Sequence, residues 1–220
     1  QALRRTPHDM ADFPRDVQEL LFFLSPVSPG QKVRAIPGAG CDVPVWLLGS
    51  SLGGAQLAAG LGLPFAFASH FAPDQLEVAL AAYRGRFMPS PLAQKPHVML
   101  SLNLVAAETD QEARLLFSSA LQATDAPLPP PIPGYEQTLD PGRLALIKNA
   151  FRHSLVGGPD TVARGLREFV ARYHPDEVIA TVQIFDPAAR LRSLEILSAA
   201  AGLAPGSPAP AVAASSAAAD

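Results

Sequence analysis

One stretch, residues 43–59, limits the possible folds of this chain more than any other part of its sequence. Its first part, residues 43–49, is nearly all apolar, which is typical of a parallel strand covered on both faces. Three glycines, Gly49, Gly53 and Gly54, reduce steric crowding in the turn that follows, and a helical segment comes next. Such a helix directs its unpaired N–H groups and a partial positive charge at the turn. The stretch therefore predicts a strand, turn and helix that can hold an anion, most often a phosphate.

The serines of this turn allow two other interpretations. The segment Gly49-Ser50-Ser51-Leu52-Gly53 matches G-x-S-x-G, the nucleophile elbow of α/β-hydrolases, with Ser51 as the nucleophile. A hydrolase also needs an acid and then a histidine further along the chain. Two pairs follow in that order, Asp140 with His153 and Asp160 with His174. Alternatively, both serines are ordinary helix N-caps. From the residues of the turn alone, all three interpretations stay open.

Composition excludes several classes of protein. The chain has 220 residues, of which 48% are hydrophobic and 17% charged, and this length suffices for one sizeable core. No uninterrupted apolar stretch reaches the ~18 residues of a membrane span. A net charge of −3 without a dense basic cluster argues against nucleic-acid binding. The single cysteine, Cys41, excludes an internal disulfide and fits a reducing, cytoplasmic location. The five histidines lack metal-ligand spacing, so we expect no metal site.

Apolar runs and helical patterns alternate along the chain, and no hairpin signal separates them, which predicts a parallel α/β fold. The expected strands are 43–49, 64–71, 97–106 and 177–184. The expected helices are 13–24, 53–61, 74–87, 110–121, 143–152, 154–173 and 187–200.

Two segments depart from this alternation. We predict one domain over residues 1–200, interrupted at about 122–142 by a proline-rich, mobile insertion near the mouth of the site. Residues 201–220, mostly Ala, Pro and Ser, are predicted to be a disordered tail.

Polar residues stand at the ends of the predicted strands, where parallel α/β folds bind their ligands. They are Ser50 and Ser51, Ser69 and His70, Asn103, and Gln183 and Asp186. His70 is a candidate for facing a cofactor or substrate, and Asn103 needs a polar partner because it lies in an apolar strand. For both residues a purely structural role is the alternative.

Residues 2–5 and 12–17 are similar to the segment after the fourth strand of bacterial luciferase-like flavin-dependent monooxygenases, and the resemblance extends over about residues 1–198. Four further blocks, in this order, resemble the second half of the same family. They are Val-Trp-Leu-Leu-Gly-Ser-Ser (45–51), Gly-Leu-Pro-Phe-Ala-Phe-Ala (62–68), His-Ser-Leu-Val-Gly-Gly-Pro-Asp-Thr-Val (153–162) and Gln-Ile-Phe-Asp-Pro-Ala-Ala-Arg-Leu-Arg-Ser (183–193). The resemblance implies a (β/α)₈ TIM-barrel fold. Such barrels usually need ~250 residues, so this chain would hold the C-terminal half, about four βα units.

The resemblance also implies a cofactor site. Ser50 and Ser51, with Leu52 and Gly54 beside them, match the positions at which members of the family bind the phosphate of FMN. Luciferase proper has an acidic residue at the position of Ser50, so light emission is not implied. The catalytic residues stay unknown, because the family places its usual catalytic histidine in the half of the barrel that has no counterpart here.

The implied activity is oxygenation of a small organic substrate with reduced FMN and O₂. The reduced flavin would come from a flavin reductase or from NAD(P)H, and deazaflavin is the alternative cofactor. The complete protein is expected to be a homodimer without nucleic-acid or membrane partners, and this fragment alone is expected to be inactive. The competing interpretations are a serine hydrolase that uses Ser51 and a non-catalytic α/β domain.

Overall fold

Five parallel strands form the sheet of the computed structural model, which describes residues 12–41, 43–122 and 127–203. The strands are β1 (Leu47–Gly49), β2 (Phe65–Phe67), β3 (Val98–Ala106), β4 (Ser154–Gly157) and β5 (Glu177–Thr181). Each is followed by a helix, which confirms the predicted parallel α/β class.

The long strand β3 organises the sheet, because it pairs with three other strands. It pairs with β2 at residues 98–100, with β5 at 99–103 and with β4 at 103–106. Among the described residues, β1 pairs with β2 alone, and β4 and β5 each pair with β3 alone. Each of these three strands therefore has one unpaired edge within the part of the chain that the structure describes.

The helices follow the predicted order. They are α1 (Phe13–Leu24), α2 (Leu52–Leu61), α3 (Leu76–Arg86), α4 (Asp110–Gln122), α5 (Pro141–Ala150), α6 (Pro159–Tyr173) and α7 (Pro187–Ala200). The chain divides into two units, residues 1–46, which contain α1, and residues 47–220, which contain the sheet and the other helices. No described helix is both long and apolar enough to cross a membrane.

Four strand predictions need correction. The strand predicted at 177–184 ends at Thr181. Residues 154–157 were predicted to begin a helix, but they form β4, because Leu155 and Val156 pair with β3 before Pro159 starts α6. The strand predicted at 43–49 is paired only from Leu47 onward. Residues 68–71, predicted to continue β2, instead turn back, and Ser69 N–H donates to the Phe67 carbonyl at 2.9 Å.

The two faces of the sheet differ. Phe65, Phe67 and Leu100 are buried beneath the helices. Tyr83 of α3 is also fully buried, and its hydroxyl donates to the carbonyl oxygen of Leu63 at 2.8 Å and accepts from His97 N–H at 3.1 Å. On the opposite face, alternate residues of the paired strands include Leu48, which is 69% exposed, and Ile179, which is 52% exposed.

The proline-rich insertion is described from residue 127 onward. It contains a short 3₁₀ helix, Tyr135–Thr138, and Ile132 N–H donates to Ser118 Oγ of α4 at 2.8 Å. Its mobility and its place near the mouth of the site remain predictions. The predicted tail at 201–220 lies outside the described residues from 204 onward.

Candidate functional site

The turn between β1 and α2 presents hydroxyl groups at a helix N-terminus. Ser51 is the N-cap of α2 in extended backbone geometry (φ −144°, ψ 165°), and its side chain makes no capping hydrogen bond to the described residues. Ser51 is exposed and Ser50 is partly exposed. Both hydroxyls therefore stay available to a ligand. The absence of a capping bond also argues against the interpretation of Ser51 as an ordinary side-chain cap.

The backbone of the turn adds further donors. Ala55 N–H closes the first helical bond, to the Ser51 carbonyl at 3.4 Å, so the N–H groups of residues 52–54 precede the first intrahelical donor. The first turn of α2 contains no acidic side chain that would repel an anion. The helix N-terminus and the two hydroxyls thus match the chemistry of a phosphate.

Close packing explains the glycines of the turn. A Cβ on Gly54 would lie 3.4 Å from the Cα of Gly49, and a Cβ on Gly49 would lie 3.3 Å from the ring of Phe65. Small residues at both positions let the start of α2 lie directly against the end of β1. The turn is thereby packed against the edge of the sheet.

A second group of polar residues lies where β2 and β5 end beside the middle of β3, and we call it the polar cluster. It consists of Ser69, His70, Ser101, Asn103 and Thr181. His70 Nδ1 lies 2.5 Å from Ser101 Oγ, and the Ser69 hydroxyl donates to the carbonyl of Ser101. Thr181 Oγ1 donates to Asn103 Oδ1 at 2.9 Å, and Asn103 Nδ2 donates to the carbonyl of His70 at 3.4 Å.

The cluster is shielded from water over most of its members. Ser69, Ser101 and Asn103 are buried, at 0%, 5% and 5% exposure. Burial also lowers the pKa of His70 below its ordinary value of 6.5, so its imidazole is neutral at pH 7. The cluster is therefore an uncharged, hydrogen-bonded group, and it joins β3 and β5 to the segment after β2.

The sequence identified His70 and Asn103 as candidates but not Ser101 and Thr181. Ser101 and Asn103 are two positions apart in β3, so they share a face of the sheet. Because Asn103 was already a candidate, this two-residue spacing could have identified Ser101 from the sequence. Thr181 joins the cluster through the register of β5 beside β3, which a linear pattern does not reveal.

Three of the four acid and histidine partners proposed for a serine hydrolase have other tasks. Asp140 caps α5, accepting from Arg143 N–H at 2.9 Å, and His174 ends α6 in the left-handed region (φ 47°). His153 packs edge-on against Phe169 and Tyr173. Ser51 itself has an extended backbone, whereas the hydrolase elbow is a sharp, strained turn. Asp186, a strand-end candidate, caps α7 through Ala189 N–H at 2.9 Å.

Comparison with known sequences agrees with the resemblance seen in the four blocks. A family model described as luciferase-like monooxygenase matches residues 4–174. A luciferase-like monooxygenase of Escherichia coli K12 is 45% identical over 203 residues, or 89% of this chain and 61% of the relative. The uncharacterized protein YvbT of Bacillus subtilis is 39% identical over 206 residues, or 90% of this chain and 61% of the relative. The chain thus spans 61% of the length of each of these relatives.

Comparison with solved structures supports the same grouping. Apo-MsnO8 matches with a TM-score of 0.76 and 30% identity, over 91% of this chain and 63% of that one. The monooxygenase RslO1 from Streptomyces bottropensis matches with a TM-score of 0.56 and 17% identity, over 87% of this chain and 61% of that one, which indicates a shared fold. The predicted (β/α)₈ TIM-barrel type is confirmed, and the sheet described above forms part of such a barrel. The chain belongs to the luciferase-like monooxygenase family.

Proposed function

We propose that this chain carries the phosphate-binding part of a flavin-dependent monooxygenase that uses reduced FMN and O₂ to oxygenate a small organic substrate. The observation that carries the proposal is the turn at Ser50 and Ser51. There, two available hydroxyls stand beside the N-terminus of α2, and no acidic residue lies in the first turn of that helix.

The residues present fit the phosphate of FMN. A phosphate dianion offers several acceptor oxygens, and charge-assisted hydrogen bonds from hydroxyl and backbone donors are stronger than neutral ones. Leu52 and Gly54 contribute backbone N–H groups at the helix start, where the helix dipole also favours negative charge. The bound flavin supplies the oxygen chemistry, and the task of this chain is to hold and orient it.

The turn recognises a phosphate rather than a ring system, so the phosphate of a deazaflavin is the alternative ligand. We expect the reduced cofactor to come from a separate reductase or from NAD(P)H. We also expect the complete protein to be a homodimer. These assignments rest on family membership, whereas the phosphate site rests on the geometry of Ser51 and α2.

Replacement of Ser51 by alanine tests the phosphate site. Removing one donor to a charged acceptor weakens binding by about 1–3 kcal/mol, which corresponds to a roughly 5- to 150-fold higher Kd for FMN. Because the Ser51 side chain makes no capping bond, the free energy of unfolding should change by less than about 0.5 kcal/mol. The measurement is a fluorescence titration of the full chain with FMN, beside urea unfolding of both proteins.

Riboflavin provides the matched control, because it lacks the phosphate and should bind the Ser51→Ala variant and the wild type equally. An unchanged Kd for FMN in the variant contradicts the phosphate site. Titration with a deazaflavin phosphate separates the two cofactors. Stoichiometric labelling of wild-type Ser51 by a fluorophosphonate would instead favour the serine hydrolase.

A further inference from the structure

His70 has no task in the phosphate site, although it follows β2, the strand paired with the one that leads into the phosphate-binding turn. Gly49 of β1 is paired in register with Phe67 of β2, and Ala68 N–H donates to the Gly49 carbonyl at 2.9 Å. Ser51 and Ser69 are therefore each two residues beyond this pair, just after the ends of two strands that run about 4.8 Å apart. His70 follows Ser69 directly, so it stands close to the edge at which the phosphate would bind.

Two contacts with β3, one of them supported in turn from β5, hold His70 in place. Its Nδ1 lies 2.5 Å from Ser101 Oγ of β3. Its carbonyl oxygen accepts from Asn103 Nδ2 at 3.4 Å, and Asn103 is in turn held by Thr181 of β5 at 2.9 Å. A side chain on a loop is thus given the preorganisation that a binding residue needs.

The proton positions in this group determine which ring nitrogen of His70 is free. The Ser101 hydroxyl has one proton, and it donates that proton to the carbonyl of Phe67 at 3.1 Å. Its oxygen then accepts a hydrogen bond from His70 Nδ1–H. A neutral imidazole has one ring proton, so Nε2 carries a lone pair. Nε2 makes no hydrogen bond within the described residues, and it is not sealed from solvent.

We infer that His70 Nε2 accepts a hydrogen bond from a ribityl hydroxyl of the flavin whose phosphate binds at Ser51. This inference rests on the proposed function. The ribityl chain is attached directly to the phosphate, so its hydroxyl groups extend from the Ser51 turn toward the neighbouring strand end. Burial lowers the pKa of His70, which keeps the ring neutral and the acceptor lone pair available at pH 7.

The first test observes the tautomer directly. In the full chain labelled with ¹⁵N-histidine, long-range ¹H–¹⁵N spectra at pH 7.5 should show a protonated Nδ1 and a bare Nε2 for His70. The signal is assigned by its loss in His70→Gln. Ser101→Ala should shift the ring toward the Nε2–H form, while the exposed His174 keeps its spectrum and serves as the internal control.

The second test measures binding of three flavins to His70→Phe. FMN and riboflavin should both bind about 5- to 10-fold more weakly, as expected for the loss of one neutral hydrogen bond. Lumiflavin, which has the ring system without the ribityl chain, should bind the variant and the wild type equally. His70→Gln, whose side-chain carbonyl is also an acceptor, should recover part of the affinity for riboflavin.

The outcomes separate this inference from the proposed function. An Nε2–H tautomer in the wild type overturns the inference whether or not flavin binds. Unchanged FMN affinity in His70→Phe, together with weaker FMN binding in Ser51→Ala, overturns the inference alone. Equal weakening for lumiflavin would move the contact to the ring system and overturn the ribityl assignment. Wild-type protein that binds neither FMN nor riboflavin overturns both.

Discussion

Replacing either of two glycines at the end of α2 by alanine should change the free energy of unfolding, in opposite directions for the two positions. Gly62 terminates the helix in the left-handed region (φ 62°, ψ 39°), as its place after the helical pattern predicted. A Cβ at this position would collide with the carbonyl oxygen of Met88 and lie 2.6 Å from Ser90 Cβ. Gly60, two residues earlier, is exposed inside the helix, and a Cβ there would meet nothing within 4 Å.

The magnitudes follow from these surroundings. For Gly62→Ala, the left-handed conformation costs roughly 1–2 kcal/mol, and overpacking adds about 1–3 kcal/mol. The obstacle cannot move easily, because Met88 N–H donates to Ala59 O at 2.9 Å and Ser90 Oγ donates to Gly62 O at 2.8 Å. Gly60→Ala should instead stabilise the protein by about 0.5–1 kcal/mol, since alanine is the better helix former.

Urea unfolding followed by circular dichroism measures both changes. The two variants should differ by at least about 2.5 kcal/mol in the free energy of unfolding, with m-values equal to that of the wild type. The reasoning is refuted if Gly62→Ala lies within about 0.5 kcal/mol of the wild type, or if Gly60→Ala is destabilised as much as Gly62→Ala. Loss of FMN binding in Gly62→Ala alone would further indicate that the end of α2 supports the turn at its start.

Two other substitutions test the core and a half-buried histidine, His153. Tyr83→Phe removes a fully buried hydroxyl that bridges two segments of backbone, and it should lower the free energy of unfolding by about 2–3 kcal/mol. Tyr135→Phe, at a partly exposed tyrosine, should change it by less than about 0.5 kcal/mol under the same urea titration. Burial lowers the pKa of His153 below its ordinary value of 6.5, so below that pH the unfolded chain binds a proton that the folded chain does not. The free energy of unfolding should therefore fall as the pH drops below about 6.5. His153→Phe should reduce that loss between pH 7.5 and 5.5; an unchanged slope would contradict this role for His153.

Local patterns determined most of the helices. The structure gives α1 and α7 the predicted bounds, Phe13–Leu24 and Pro187–Ala200, and it ends α2 at Gly62. Each of these features depends on residues within a few positions of one another, such as a proline in the first turn, a capping Asp186 or a glycine after the last turn. The resemblance of four short blocks was likewise readable from the residues, and the comparisons confirmed the family.

Tertiary structure decided what depends on pairing between distant segments. Residues 154–157 follow a helix and precede another, and only their register beside β3 makes them a strand. His70 and Asn103 were visible as candidates, but their link through Ser101 and Thr181 joins residues up to 78 positions apart in sequence. Strand register is set by the burial of whole faces of the sheet, so a linear pattern predicts that a strand forms without predicting which side chains it brings together.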